Sequence, residues 1–238
     1  MAPVDDSAII SFDSVTKTYP TKSESVNALD AVSFKVERGA AVAIVGPSGS
    51  GKTTLLNMAA GLDFPSQGSV RVGGVLTSEL EREPLQKFRN EMVGVVFQQF
   101  FLIDHLSVFQ NVMVPLIPRE IPSAEKSKRI LDSIAKVGLA DKADRLPSEL
   151  SGGELQRVAI ARGLVGDASV ILADEPTGNL DSKRGSEIVG LLVAESRERR
   201  KTVLIATHDL RVLDRVDGVV YLEDGRLSKI EGRGVRNA

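Results

Sequence analysis

The sequence predicts an α/β fold: a mixed, mainly parallel sheet with helices, an antiparallel β subdomain at the N-terminus and an inserted α-helical subdomain. Short, mainly apolar runs at 40–45, 170–173 and 202–206 are typical of strands buried on both faces of a parallel sheet. Residues 9–36 alternate between apolar and polar, as half-buried antiparallel strands do. Residues 98–165 contain no strong strand pattern, which indicates a helical insertion.

The other elements of the first half follow in chain order. The polar residues 20–27 are expected to form a loop between the first two strands. A helix is predicted at 53–60, directly after a glycine-rich turn, so that 40–60 form a β-loop-α unit. The next predicted elements are a strand at 68–76, a short charged helix at 80–90 and a strand at 93–97.

The second half of the chain alternates helices and strands. Helical spacing predicts one helix at 124–137 and another that begins at Gly152–Gly153. A charged helix at 183–200 joins the last two buried runs, and this β-α-β order favours a parallel sheet. A hairpin is expected at 219–227, and the polar tail from Glu231 is expected to fray.

The composition excludes several classes of function. The chain has 238 residues, a net charge of −2 and no cysteine, so it can form no disulfide, thiol nucleophile or thiolate metal site. No apolar run approaches the roughly 18 residues that span a bilayer, and no basic segment precedes an apolar one at the N-terminus. We therefore expect neither a membrane helix nor a signal peptide. The basic run at 197–201 is interpreted as a solvated helix end, so no direct nucleic-acid partner is expected.

A phosphate-binding loop is predicted between the first buried run and its helix. Residues 46–53 fit the pattern G-x-x-x-x-G-K-[ST] in the strand-loop-helix context that this motif requires. Glycines let backbone N–H groups face a phosphate chain, and the helix presents its positive end to the same anion. Lys52 can reach the β- and γ-phosphates, and the Thr53 hydroxyl can bind Mg²⁺. The loop residues are Gly46, Pro47, Ser48, Gly49, Ser50, Gly51, Lys52 and Thr53.

Two carboxylates follow the second buried run, where strand ends form the ligand crevice of an open α/β sheet. Asp174 is expected to hold Mg²⁺ through water, and Glu175 is expected to polarise the attacking water. Two acids after a strand often only cap a helix. The presence of the phosphate-binding loop in the same chain favours the catalytic interpretation.

A second anion-binding surface is predicted at 150–157, LSGGELQR. Ser151 and the amides of Gly152 and Gly153 lie at a helix start, where backbone donors face an anion. Because the phosphate-binding loop already contacts one side of the γ-phosphate, this second surface suggests a partner's nucleotide. In isolation the pattern would be an ordinary serine-capped helix. The segment closely resembles the signature of ABC ATPases, although Glu154 stands where that signature usually has glutamine.

The resemblance covers nearly the whole chain and implies roles for further residues. It implies that Tyr19 stacks on adenine, that Gln98 senses Mg²⁺ and the γ-phosphate, and that His208 contacts the γ-phosphate. Gln98 is preferred to Gln99 because it directly follows the strand phenylalanine. The simpler alternatives are a packed tyrosine and a polar histidine at strand ends.

A composite catalytic site between two chains is also implied by the resemblance. Residues 179–181, Asn-Leu-Asp, match the loop that crosses to the partner subunit. Thr54, Glu154 and Asp181 join the residues expected to bind nucleotide. Two copies would pair head to tail, with ATP between the phosphate-binding loop of one and the signature of the other. ATP and Mg²⁺ are the implied cofactors.

Over its whole length the chain is expected to be one ABC ATPase domain, 1–238. The resemblance implies a RecA-like core with the antiparallel β subdomain over 1–97 and 166–238, and the helical signature subdomain over 98–165. The expected activity is hydrolysis of ATP to ADP and phosphate. The expected partners are a second copy and two integral membrane permease subunits, with this chain peripheral on the cytoplasmic face of the membrane.

Finer features resemble the ATPase subunits of bacterial lipoprotein-releasing, macrolide-export and haem-efflux systems. They include Gly61-Leu62-Asp63 before Pro65 and VVFQQF at 95–100. These features imply an export or mechanotransmission system for lipoprotein, haem, drug or peptide. The apolar residues 100–103 are either a docking surface for the permease or part of the core.

Two other functions remain open at this stage. A soluble ABC ATPase could act on nucleic acid or in cell division without transport. Such proteins usually carry two cassettes or a long coiled-coil insertion, which this chain lacks. A kinase with a phosphate-binding loop is more distant, because the signature at 150–157 argues against it.

Overall fold

Eleven strands in two sheets and six α-helices make up the described part of the computed structural model, which covers residues 7–20, 25–178 and 180–238. The strands are β1 (Ala8–Pro20), β2 (Ser25–Glu37), β3 (Ala41–Val45), β4 (Gln67–Val72), β5 (Val75–Leu76), β6 (Val93–Val96), β7 (Val170–Asp174), β8 (Thr202–Thr207), β9 (Gly218–Glu223), β10 (Arg226–Gly232) and β11 (Val235–Arg236). The helices are α1 (Lys52–Ala59), α2 (Arg82–Met92), α3 (Val108–Met113), α4 (Ser123–Lys136), α5 (Gly152–Leu164) and α6 (Ser182–Arg199). The predicted α/β fold class is confirmed.

The central layer is a six-stranded sheet in the order β10-β9-β3-β8-β7-β6. All its neighbouring pairs are parallel except β9 with β10. Every residue of β3, β7 and β8 is buried, as their apolar runs predicted. Parallel pairing brings the carboxyl ends of these three strands to the same edge of the sheet, next to the glycine-rich turn after β3.

An antiparallel sheet of order β11-β2-β1-β4-β5 covers one face of the central sheet. The predicted loop at 20–27 is wrong in extent, because β1 and β2 stay paired as far as Pro20 opposite Ser25, and 21–24 lie outside the described residues. The predicted strand at 68–76 is two strands. Gly73 and Gly74 turn the chain between them with φ of 60° and 81°, a conformation that glycine adopts without strain.

The C-terminal tail does not fray as predicted. β11 pairs with β2, Val235 is buried in the core, and the Arg236 guanidinium lies 3.2 Å from the Glu37 carboxylate. Gly234, with φ of 73°, turns the chain back onto the sheet. The composition of the tail suggested mobility, but one buried valine and a free strand edge are enough to order it.

Between β6 and β7, residues 97–169 form helices and 3₁₀ turns and contain no strand. Their apolar side chains, including those of Ile130, Ile134 and Val158, pack with the face of the central sheet opposite the antiparallel sheet. The division of the chain at 98–165 into a core and a helical subdomain stays a prediction. In the described part of the chain, no helix combines the length and apolar character needed to cross a bilayer.

The basic run at 197–201, which includes the end of α6, is only partly a solvated helix end. Lys201 is buried, and its ammonium lies 3.3 Å from the carboxylate of Glu195, which is also buried. Lys136, at the end of α4, approaches the same carboxylate at 3.2 Å. Two cations therefore compensate a buried anion and tie α4 to α6.

Glycines allow α5 to pack directly on the backbone of β6. A Cβ atom added at Gly94 would lie 2.2 Å from the carbonyl oxygen of Gly163, and one added at Gly163 would lie 2.8 Å from the Val96 side chain. The first neighbour is backbone and cannot rotate away. The helix that begins at the predicted signature is thus fixed on the strand that leads to Gln98.

Gly94→Ala should lower the free energy of unfolding by about 3 kcal/mol, since overpacking against fixed backbone is relieved only by moving α5. Urea unfolding followed by circular dichroism measures this change. Gly190→Ala is the matched control, because an added Cβ meets only the flexible end of Arg215 at 3.2 Å. It should be neutral or stabilise α6 by up to about 1 kcal/mol. Equal stability of the two variants would contradict the close packing.

Candidate active site

The turn between β3 and α1 can be closed only by glycine at two positions. A Cβ at Gly46 would lie 2.1 Å from the carbonyl oxygen of Leu222, and one at Gly51 would lie 2.6 Å from that of Ala28. Gly51 also has a φ of 99° as the residue before α1. The backbone therefore forms a tight concave turn whose shape depends on these glycines.

The Lys52 ammonium lies inside this turn. The residue is buried, and its Nζ donates to the carbonyl oxygens of Gly46 and Pro47, each at 2.9 Å. An ammonium has three N–H donors, so one remains for a ligand even in this arrangement. The positive end of α1 adds to the same field, which makes the turn a binding site for an anion.

Thr53 and Asp174 connect the turn to the end of β7. The Thr53 hydroxyl donates to Oδ2 of Asp174 at 2.8 Å, while Oδ1 is buried with no partner among the described residues. Burial raises the pKa of Asp174 above its ordinary value of 3.8, the charge of Glu175 adds to this, and the Thr53 hydrogen bond and Lys52 oppose it. The Thr53 hydroxyl and the unpaired Oδ1 of Asp174 are oxygen ligands of the kind that Mg²⁺ prefers. The site would therefore suit Mg²⁺, with phosphate and water as the remaining ligands.

Glu175 is held in a left-handed backbone conformation with φ of 45°. Its N–H donates to the carbonyl oxygen of Ala206 at 2.8 Å, which fixes it against β8. Oε2 lies 2.9 Å from Nδ1 of His208 and accepts a longer bond, 3.3 Å, from the Thr207 hydroxyl. Such a conformation is unfavourable for a residue other than glycine and is frequent at functional sites, where the surrounding structure enforces it.

One cavity of 480 Å³ brings together nine of the nineteen residues predicted from the sequence. It is lined by the turn after β3, by Gln98 after β6, by Glu175 after β7 and by His208 after β8. Gln99 is not among the lining residues, in agreement with the choice of Gln98. The lining residues are Ala28, Ser48, Gly49, Gly51, Lys52, Thr53, Thr54, Gln98, Glu175 and His208.

The predicted signature lies elsewhere, at the start of α5. Oε2 of Glu154 accepts from both the N–H and the hydroxyl of Ser151, each at 2.8 Å, and Oε1 pairs with Lys142. The hydrogen bond from Lys142, followed by those from Ser151, lowers the pKa of Glu154 from 4.5 to about 2. None of the residues from Ser151 to Glu154 lines the cavity. The structure of a single chain thus keeps the two predicted anion-binding surfaces apart.

The remaining predicted residues have local partners. Asp181 precedes α6 and accepts from the N–H groups of Lys183 and Arg184 at 3.1 and 3.0 Å, so it caps this helix. Asn179, predicted to cross to a partner, lies outside the described residues. Tyr19 donates its hydroxyl to Oδ2 of Asp63 at 2.6 Å.

Sequence reasoning missed Ala28, Asp63 and Lys142 as members of these surfaces. Ala28 lines the cavity, Asp63 binds Tyr19, and Lys142 pairs with Glu154. Asp63 stood out only within a short subfamily pattern, and the other two carry no motif. All three are separated in sequence from the groups they touch, so no spacing rule predicts the contact.

A family model described as "ABC transporter" matches residues 29–178 of this chain, well over half of its length. The chain belongs to the ABC transporter family. The predicted resemblance and the predicted ABC-type ATPase activity are both confirmed. Because ATP binding is a shared property of this family, it extends to this chain. The transporter relatives do not favour the alternative in which the chain acts on nucleic acid.

Similar ABC proteins include both longer and equally long chains. A macrolide export ATP-binding/permease protein MacB of Burkholderia thailandensis is 45% identical over 213 residues, which are 90% of this chain but 32% of that protein. The chain therefore spans about a third of the MacB relative. The ABC transporter ATP-binding protein MJ0796 of Methanocaldococcus jannaschii is 42% identical over 227 residues, 94% of this chain and 97% of that one.

Solved ABC cassettes have the same fold. A dimeric structure of MJ0796 superimposes with a TM-score of 0.90 at 41% identity, covering 94% of this chain and 98% of that chain. A dimeric post-hydrolysis state of MJ0796 bound to ADP and Pi gives a TM-score of 0.89 at 40% identity, with the same coverage. These values confirm the predicted fold of the ATPase cassette.

Asp174→Asn should stabilise the nucleotide-free ABC cassette by on the order of 1 kcal/mol, because it removes a buried, half-unpaired charge next to Glu175. Since the folded-state pKa of Asp174 is raised, its contribution to stability declines as pH rises from 3.8 through the raised value. Thermal unfolding of both proteins across this range tests the sign.

Asp181→Asn is the control for this experiment. The pKa of Asp181 is lowered, chiefly by the Arg184 N–H, so its contribution is present at neutral pH and lost on acidification. This variant should therefore lower stability at pH 7. An Asp174→Asn protein that is less stable than wild type at pH 7 would show that the carboxylate stabilises the empty cassette.

Proposed function

We propose that this chain is the ATP-hydrolysing subunit of a bacterial export or mechanotransmission system, and that it hydrolyses ATP as a head-to-tail dimer with itself. The supporting observation is that one cavity gathers the phosphate-binding turn, Gln98, Glu175 and His208, while the signature lies apart on the same chain. A second copy can bring its signature to this cavity. The dimeric structures described for the similar cassette MJ0796 support the pairing of two copies.

The triphosphate of ATP is held by the turn from Gly46 to Thr53. The backbone of the turn and the start of α1 donate N–H groups to the phosphates. The Lys52 ammonium donates its free N–H to the β- and γ-phosphates, and it can exchange its hydrogen bonds to Gly46 and Pro47 for further bonds to phosphate. Bound Mg²⁺ would neutralise phosphate charge, held by Thr53 and, through water, by Asp174, with Gln98 nearby. The adenine lies toward Thr54 and stacks on Tyr19.

Hydrolysis is phosphoryl transfer to water. Glu175 accepts a hydrogen bond from the water whose oxygen attacks the γ-phosphorus, while the bond to the bridging oxygen breaks and ADP leaves. His208, 2.9 Å from Glu175, orients that carboxylate and reaches the γ-phosphate from the exposed side of the cavity. Gln98 also lines the cavity, where it would sense Mg²⁺ and the γ-phosphate. Catalysis rests on position and charge, because the protein forms no covalent bond with phosphate.

The second copy completes the site with Ser151, Gly152, Gly153 and Glu154. The Ser151 hydroxyl now donates to Glu154 at 2.8 Å and would turn to the γ-phosphate of the facing ATP. The amides at the start of α5 face the same anion. Asp181 fixes the start of α6 next to this surface, where a Cβ on Gly153 would lie 3.2 Å from the Leu180 side chain.

Glu175→Gln should retain ATP binding, reduce turnover by at least about 100-fold and accumulate an ATP-bound dimer, because the amide cannot take the proton of the attacking water. Phosphate release and light scattering with ATP and Mg²⁺ measure the two effects. An unimpaired rate would refute Glu175 as the base.

Ser151→Arg in the Glu175→Gln background is the matched test of the composite site. The long cation occupies the space of the facing triphosphate, so dimers should be lost while ATP binding to the monomer persists. A normal ATP-dependent dimer would contradict the proposed contact between the signature and the partner's nucleotide.

The proposed membrane partners are two integral permease subunits on whose cytoplasmic side the chain docks. The MacB relative is described as both ATP-binding and permease, which supports an export system. The docking surface proposed for the permease is formed by Phe101 and Ile103. Phe101 is 60% exposed and packs edge-on against Phe97, so it is available for docking. Leu102 is partly buried and packs against the core, so it follows the other alternative predicted for 100–103.

Phe101→Asn should abolish co-purification of integral membrane proteins with the tagged chain from detergent-solubilised membranes, with ATPase activity in solution unchanged. Asparagine tolerates the left-handed backbone at this position, φ 44°, and removes the apolar ring. Leu131→Asn, at a residue of α4 that is 48% exposed, is the control and should retain the partner. Equal recovery with both variants would exclude this docking surface.

A further inference from the structure

Three side chains form a closed cluster where β1 passes the end of α1. The carboxylate of Asp63 accepts from the Lys17 ammonium at 2.5 Å and from the Tyr19 hydroxyl at 2.6 Å, through different oxygens. Lys17 also donates to the carbonyl oxygen of Phe64 at 2.8 Å. Both oxygens of Asp63 are thus engaged, and the tyrosine hydroxyl has a fixed direction.

The Lys17 ammonium also stands over the Tyr19 ring, 4.9 Å from its centroid. It covers one face of the ring in a cation–π contact, while Tyr19 remains 38% exposed. Burial and the hydrogen bond to Asp63 raise the pKa of Tyr19, so the hydroxyl stays protonated and donates. The ring is therefore supported on one side and available for stacking on the other.

The cluster adjoins the nucleotide cavity. Thr54, in the first turn of α1, lines that cavity and also interacts with the Tyr19 hydroxyl. The ring consequently stands beside the start of α1 at the border of the cavity, where the base of the proposed ATP ligand is expected. The hydrogen bonds of the cluster run to Asp63 and Phe64, whereas Lys52 and Asp174, proposed to hold the phosphates and Mg²⁺, bond to Gly46, Pro47 and Thr53.

We propose that Asp63 and Lys17 are positioning residues that hold the Tyr19 ring ready to stack on the nucleotide base, a role that rests on the proposed ATP site. A tyrosine free to rotate must be immobilised when the base binds, and that loss of freedom weakens binding. The contacts of Tyr19 with Asp63 and Lys17 already restrict the ring, so less rotational freedom is lost when the base binds. This restriction acts on the base alone, so it contributes to the affinity for nucleotides and not to that for phosphate chains.

The alternative role for the cluster is purely structural: it would join β1 to the end of α1. In that case, loss of the cluster would weaken the binding of every ligand of the cavity equally, because a loosened α1 would also disturb Lys52 and Thr53. A ligand with the phosphates and no base separates the two roles. Inorganic tripolyphosphate is such a probe.

The experiment compares ATP and tripolyphosphate affinities by titration calorimetry with Mg²⁺, for wild type, Asp63→Ala and Lys17→Met. We expect both variants to lose about three- to tenfold in affinity for ATP, with the tripolyphosphate affinity unchanged. Tyr19→Phe, which keeps the ring and removes the donor, should lose a similar factor. Combined with Asp63→Ala it should add nothing further, because both changes break the same contact.

Two controls separate this proposal from the proposed function. Asp132→Asn breaks the exposed ion pair with Lys128 on α4 and should alter neither affinity. Lys52→Ala should weaken both ligands, and its failure to do so would count against the ATP site itself. An equal loss for ATP and tripolyphosphate in Asp63→Ala and Lys17→Met, or no loss in either, would overturn the positioning role while leaving the ATP site intact.

Discussion

Parallel hydrogen bonding joins β3 to β8 and β8 to β7, with Val45 opposite Thr207 and Asp174 opposite Ala206. This register aligns three strand ends at one edge, where the chain leaves each strand with a chemically distinct group. The phosphate-binding turn leaves β3, Glu175 leaves β7 and His208 leaves β8. A shift of one residue in either pairing would move the carboxylates away from Lys52, so the geometry of the proposed active site depends directly on sheet register.

Charge balance at this edge follows from the same alignment. Asp174 and Glu175 are adjacent, buried acids, and Lys52 is the buried cation of the cavity among the described residues. The protein keeps these charges in a site where part of their hydration is lost, which favours a ligand with many negative oxygens and a divalent cation. The left-handed backbone at Glu175 adds local strain, held by the bond from its N–H to Ala206.

The sequence predicted what is local or periodic. The three buried runs, the turn at 46–53 and the helix after Gly152–Gly153 could all be predicted because hydrophobic period and glycine placement act over a few residues. It did not predict the pairing of β11 with β2, the turn at Gly73, or the contacts of Asp63 with Lys17 and Tyr19. These depend on which distant segments the fold brings together, and no short-range pattern encodes that.

Because the glycine contact with β6 lies near the C-terminal end of α5, a change in the tilt of this helix would displace its N-terminal end most. Gly163 rests on the strand, and Ser151 precedes the opposite end of the helix, roughly 18 Å away at 1.5 Å per residue. A tilt of about 5° at the anchored end would move Ser151 by about 1.5 Å, half the length of a hydrogen bond. Small rotations at the sheet would therefore be amplified at Ser151, and the proposed contact with a facing phosphate would depend strongly on the helix angle.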